Sequence, residues 1–193
     1  ANCAPSTELI VTSVFMEAAP GQGMRGHQPA EHANRPGEPA FAIQMLKVRS
    51  QLLRVGRQPG SGGGVPLLMF NGIGGSIELL EPLARSMPAR EVIVFDVPGV
   101  GHSPMPRLPY RLRTLARWAE GVLDHYGHAQ ADVLGVSWGG AAAQEFARSA
   151  SARCRRLILC ATATGMLMVP GHPKALAKMV TPRRYMSKDH AIK

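Results

Sequence analysis

Asp132-Val133-Leu134-Gly135-Val136-Ser137-Trp138-Gly139-Gly140-Ala141 is the stretch on which the reading of this chain turns. Asp132–Val136 is a short apolar run and reads as a buried strand, while Ala141–Ala150 is alanine-rich and reads as a helix. Between them Gly135 to Gly139 spell G-x-S-x-G. A strand that turns at once into a helix strains its apex residue, and glycines two positions either side remove the side chains that would collide there. The apex hydroxyl then stands clear at the carboxyl end of the sheet. The backbone N–H groups that follow aim at the place where an oxyanion would form. Ser137 is therefore expected to be a nucleophile. The same letters also fit a tight turn with a buried, helix-capping serine, but the strand before and the helix after favour the exposed apex.

The segments upstream repeat this grammar. Pro66–Phe70 reads as a buried strand, and Asn71-Gly72-Ile73-Gly74-Gly75 follows it. A glycine-rich loop after an early strand is where a second oxyanion donor belongs, so the N–H groups of Ile73 and Trp138 are the expected pair. Read alone, the loop also suits an ordinary turn. Glu91–Phe95 is a β-branched strand ending at Asp96, before Val97-Pro98-Gly99-Val100-Gly101-His102-Ser103. Asp96 is expected to hold that loop by local hydrogen bonds. His102 either lines the site or is an exposed loop histidine.

Leu112, Leu115, Ala116, Ala119, Val122, Leu123 and Tyr126 recur at helical spacing and predict a helix over 111–126. A shorter helix is expected over Glu81–Met87, with Pro82 in its first turn. Leu157–Ala161 reads as a further strand, and Ile43–Val48 with Leu52–Arg57 as an edge hairpin. Strands alternating with helices give an α/β fold, a mostly parallel sheet with flanking helices. Residues 1–40 read as a flexible leader, 41–165 as the core, and 166–193 as the start of a cap.

Composition narrows the function classes. The chain has 193 residues, 45% of them hydrophobic, enough for one core. No apolar run reaches the roughly 18 residues of a membrane span. Leu9–Met16 has the length of a signal core, but Glu8 precedes it where a basic residue is needed. Cys3, Cys154 and Cys160 make no disulfide framework and suit a reducing compartment, the cytoplasm. No Cys/His grouping has zinc-ligand spacing. Net charge is +9, with arginines clustered at Arg107–Arg117, Arg153–Arg156 and Arg183-Arg184. These clusters lack interleaved aromatics and match no nucleic-acid module, so they are read as solvated faces. Gly21-Gln22-Gly23-Met24-Arg25-Gly26 fits a dinucleotide fingerprint, but Pro29, Pro36 and Pro39 forbid the helix it needs. No cofactor and no metal are expected.

Together the three glycine-bearing segments resemble those of the α/β-hydrolases. Leu67-Leu68-Met69-Phe70-Asn71-Gly72-Ile73-Gly74, Phe95–Gly101 and Gly135–Gly140 resemble, more closely, the intracellular medium-chain-length poly(3-hydroxyalkanoate) depolymerases. Met168-Val169-Pro170-Gly171 and Thr181-Pro182-Arg183-Arg184-Tyr185 are similar to that family's segment beyond the elbow unit. The resemblance spans about residues 50–193. It implies a serine esterase acting on stored polyester at granules inside the cell, releasing 3-hydroxy acids or oligomers. In the superfamily the triad follows the order Ser, Asp or Glu, His, so Asp96, which precedes Ser137, is not expected to be the acid. Thr162 and Thr164 stand where a carboxylate would follow Leu157–Ala161, and His172 and His190 fall in the family's cap. The triad Asp and His are thus expected beyond Lys193. The chain is read as an N-terminal piece, truncated before the last strands and inactive alone. A generic carboxylesterase, a haloperoxidase-like hydrolase and a non-catalytic binding protein on the same scaffold are the alternatives.

Overall fold

The strands at the centre of the sheet are almost wholly apolar on both sides, and the fold follows from where those sides go. The computed structural model describes residues 8–12, as backbone, and 41–163. The strands are β1 (Glu8–Thr12), β2 (Ala42–Val48), β3 (Gln51–Gln58), β4 (Leu67–Phe70), β5 (Val92–Phe95), β6 (Ala131–Val136) and β7 (Cys154–Cys160). The helices are α1 (Ile77–Arg85), α2 (Leu112–His125) and α3 (Trp138–Ser149). The sheet order is β1-β7-β6-β4-β5-β3-β2. β2 and β3 form an antiparallel hairpin at one edge, β3 runs antiparallel to β5, and the remaining pairs are parallel.

Alternation along β4 and β5 splits the core in two. Leu67, Met69, Val92 and Val94 face α1, where Ile77, Leu80 and Ala84 cover them. Leu68, Phe70, Ile93 and Phe95 face α2 and α3, with Leu115, Ala119, Leu123, Ala143 and Phe146. Phe70 is the hinge of this second layer, with ring centroids 5.6 Å from Phe95 and 6.2 Å from Phe146. Near the amino end of β6, buried Asp132 accepts hydrogen bonds from Arg155 at 2.8 Å and 2.7 Å and from Arg90. Burial would raise that carboxyl's pKa, but the hydrogen bonds from Arg155 and Arg90 outweigh it and hold the pKa below its ordinary value.

Three expectations need correction. Glu8–Thr12, inside the stretch read as a leader, is a strand parallel to β7, with Leu9 opposite Leu157. The short helix starts at Ile77, not Glu81, so Pro82 lies inside it. Sequence reading took Pro82 for the first turn, yet the helix is started from outside by Asp96, whose Oδ1 accepts the Ile77 N–H at 2.7 Å. β7 begins at Cys154, earlier than Leu157, because Cys154, Leu157 and Leu159 all turn inward. Gly21–Gly26, Cys3, Thr164, His172, Arg183-Arg184, His190 and the cap region lie outside the described residues.

Candidate active site

Ser137 sits between the last residue of β6 and the first of α3, with φ 53° and ψ −120°. This is a left-handed φ on a residue with a Cβ, a conformation that costs about 1–3 kcal/mol and persists only when its surroundings enforce it. The enforcement is visible. The Ser137 N–H donates to Cys160 O of β7 at 2.9 Å, and the Gly140 N–H returns to Ser137 O at 2.9 Å. A Cβ on Gly135 would fall 2.5 Å from Gly139 O and 2.6 Å from Gly140 Cα. A Cβ on Gly139 would fall 2.5 Å from Asn71 O and overlap Phe70 O. Gly140 is overhung by Thr162, which occupies the space after β7. So strand, turn and helix close on themselves only where glycine stands, and Ser137 alone of this group is left exposed.

The loop after β4 lies beside this turn. β4 and β6 are parallel neighbours, with Phe70 opposite Gly135, so both chains leave the sheet at the same end. A Cβ on Gly72 would sit 3.6 Å from Ser137 Cβ and from Val136 O. Buried Asn71 shapes the loop: its Nδ2 donates to Ser76 O at 2.6 Å and its Oδ1 accepts the Gly72 N–H at 2.8 Å. The Gly75 N–H donates to Gly72 O at 3.0 Å. Gly72 and Gly75 are thus committed within the loop, and Ile73 and Gly74 form the tip between them. Ile73 is 57% exposed and Gly74 has φ 70°. Trp138 is the first residue of α3, so its N–H belongs to the four that have no intrahelical acceptor. Its ring packs against the core.

Asp96 behaves as its position in the chain suggests. Its carboxylate is fully buried and accepts from Ile77 N–H, from Arg54 Nη1 at 3.1 Å and from His102 N–H at 3.2 Å. Ser103 Oγ donates to Asp96 O at 2.7 Å and accepts the Arg54 N–H at 2.8 Å. Every oxygen of Asp96 therefore holds neighbouring backbone, Arg54 or the Ser103 hydroxyl. His102 is an exposed loop residue whose backbone, not ring, serves this network. Arg54 also binds Glu78 at 2.5 Å, and its hydrogen bond holds the Glu78 carboxyl down at about 2. Sequence reading missed Arg54 altogether. Arg54 is one of two arginines in β3, between β2 and β5, and neither stands out until the fold sets Arg54 against a buried aspartate.

Among the described residues no group of three or more His, Cys, Asp or Glu could hold a metal ion, and no helix is long and apolar enough to cross a membrane.

Known proteins are similar to this chain in sequence and in fold. Residues 65–184 match the family model for the alpha/beta hydrolase fold. A poly(3-hydroxyalkanoate) depolymerase from Ectopseudomonas oleovorans is 46% identical over 154 residues, covering 79% of this chain and 54% of that protein. A 2-hydroxymuconate semialdehyde hydrolase from Pseudomonas sp. (strain CF600) is 36% identical over 108 residues, covering 53% of this chain and 38% of that one. The solved structure of the epoxide hydrolase CorEH aligns with TM-score 0.59 at 23% identity, over 73% of this chain and 50% of its own. The chain thus spans about half, or less, of the length of these relatives. A model match over most of the chain, on a sheet of this order with its strained serine between β6 and α3, makes the chain a member of the α/β-hydrolase family.

Proposed function

We propose that this chain supplies the nucleophile and the oxyanion donors of a serine ester hydrolase acting on poly(3-hydroxyalkanoate). The observation that carries the chemistry is the exposed Ser137 at φ 53° beside the Asn71–Gly75 loop. In this reading Ser137 Oγ attacks an ester carbonyl, and the carbonyl oxygen takes up negative charge. The N–H groups of Ile73 and Trp138 donate to that oxygen, which they stabilise more strongly in the tetrahedral state than in the planar ester. Collapse of the tetrahedral species breaks the ester C–O bond and expels the alcohol end of the polymer. Water then cleaves the acyl-serine to a 3-hydroxy acid or oligomer. The Ser137 proton passes to a general base and on to the leaving alcohol. By resemblance that base is a histidine, steadied by an aspartate, both following the serine in the chain.

The substrate class rests on the depolymerase relative, 46% identical over 79% of this chain. Such a polymer is stored inside the cell, so the proposal places the protein there, at the granule surface. The test compares the full-length protein carrying this sequence with its Ser137→Ala variant. Turnover of a poly(3-hydroxyalkanoate) suspension and of short p-nitrophenyl esters is followed. Loss of the nucleophile should lower turnover at least about 10⁴-fold on both. Turnover of the short esters without the polymer would make the protein a generic carboxylesterase. Undiminished activity in Ser137→Ala would remove the nucleophile assignment.

A further inference from the structure

The segment from Val97 to Ala119 carries four arginines and no carboxylate. Arg107, Arg111, Arg113 and Arg117 are all exposed. Among the described residues none of the four is in an ion pair, whereas Arg54, Arg57, Arg85 and Arg148, among others, are. Arg113 feels the charge of Glu145, but that carboxylate is held by Arg148 at 2.7 Å. Among these cations stand Met105 and Leu108, 76% and 77% exposed, the most exposed large hydrophobic residues of those described.

The loop that carries them is tied down on both sides. Pro104, Pro106 and Pro109 preset the backbone of the loop. Gln51 Nε2 donates to Pro104 O at 2.9 Å and ties the loop to the β2–β3 turn. The Tyr110 hydroxyl donates to Pro98 O at 3.0 Å, and its ring packs on Trp118 at 5.1 Å. A cavity of about 630 Å³ opens between this loop, Ser50–Leu52 and the start of α2. Apolar side chains held out among uncompensated cations complement a surface that has an oily interior and an anionic skin. A nucleic acid offers the charge without the oil.

We infer that residues 104–111 form a docking face for a lipid layer with anionic headgroups. Met105 and Leu108 enter the acyl region, and Arg107 and Arg111 pair with the headgroups. The face does not involve Ser137, and the inference stands independently of the proposed hydrolysis.

The test is co-sedimentation of the purified full-length protein with vesicles of phosphatidylcholine alone, or with about one third phosphatidylglycerol. Binding should be at least about tenfold tighter to the mixed vesicles and should weaken with salt. Met105→Ser with Leu108→Ser, and separately Arg107→Gln with Arg111→Gln, should each lower partitioning about tenfold while the melting temperature stays unchanged. Equal binding to neutral vesicles, or full binding by both double variants, would overturn the inference. So would binding to a homopolymeric RNA that needs the arginines but not Met105 and Leu108. A large fall in melting temperature for the serine variant would show that the chain's own remainder covers these side chains, with the same consequence. Self-association lost in that variant would assign the face to a second copy instead.

Discussion

At Ser137 one residue's backbone strain is held by its neighbours' lack of side chains. The motif reading places glycines at positions 135 and 139 because a generic elbow needs room. Packing shows what takes that room: Phe70 O and Asn71 O at Gly139, and the first turn of α3 at Gly135. These are backbone atoms of β4, the loop after it and α3, so they cannot swing aside as a flexible side chain would. Gly139→Ala should therefore destabilise the protein by about 2 kcal/mol or more through overpacking, read as a lower urea midpoint with an unchanged slope. A midpoint within error of the parent would mean that the elbow is looser than its geometry. The role of Asp96 was also legible, because an aspartate at a strand end before Pro98-Gly99 commonly organises its own loop. Its partner Arg54 was not, because 42 residues separate them and only the antiparallel return of β3 beside β5 joins them.

Among the elements, α1 departs most from its sequence. Helix propensity rejects an interior proline, which removes one N–H and crowds the carbonyl four residues back. The sequence reading therefore put Pro82 at a helix start. The structure carries α1 through Pro82 because both ends are secured otherwise. Asp96 caps Ile77, Arg85 binds Glu81 at 2.7 Å, and Ile77, Leu80 and Ala84 are buried on the sheet. Burial of that stripe outweighs one missing hydrogen bond. Pro82 itself is exposed and contributes little packing. Pro82→Ala should restore a donor to the Glu78 carbonyl and raise stability by about 1 kcal/mol, the freer unfolded chain offsetting part of the gain. Thermal and urea unfolding would measure it, and a loss of stability would show that the ring is needed where it stands. α2 was legible throughout, since its apolar period is regular enough to carry the helix through Gly121.

Over the whole molecule, a net charge of +9 is held together partly by carboxylates whose pKa values lie below their ordinary range. Glu78 falls from 4.5 to about 2 beside Arg54, and Glu91 and Asp132 are also lowered, their arginine bonds overcoming burial. A carboxylate depressed in the folded state binds protons more readily when unfolded. Its contribution is therefore present above the unfolded value and lost as pH falls through the folded one. The urea midpoint should decline as the medium is acidified from about pH 5 to about pH 2. Glu78→Gln should flatten the part of that decline between 4.5 and about 2. Because half of the Glu78 side chain is exposed, the change should stay below about 1 kcal/mol. An unaltered acid limb in the variant would mean that Arg54 and Glu78 are not coupled in solution. The parallel α/β order, the elbow and the glycine loop were all readable in the linear chain, because each depends on short-range steric rules and hydrophobic period. The edge strand Glu8–Thr12, the Asp96 cap on α1 and the Arg54–Asp96–Glu78 cluster were not. Each depends on a partner brought up by sheet pairing across a long stretch of chain, and no local pattern encodes which distant residue will stand opposite.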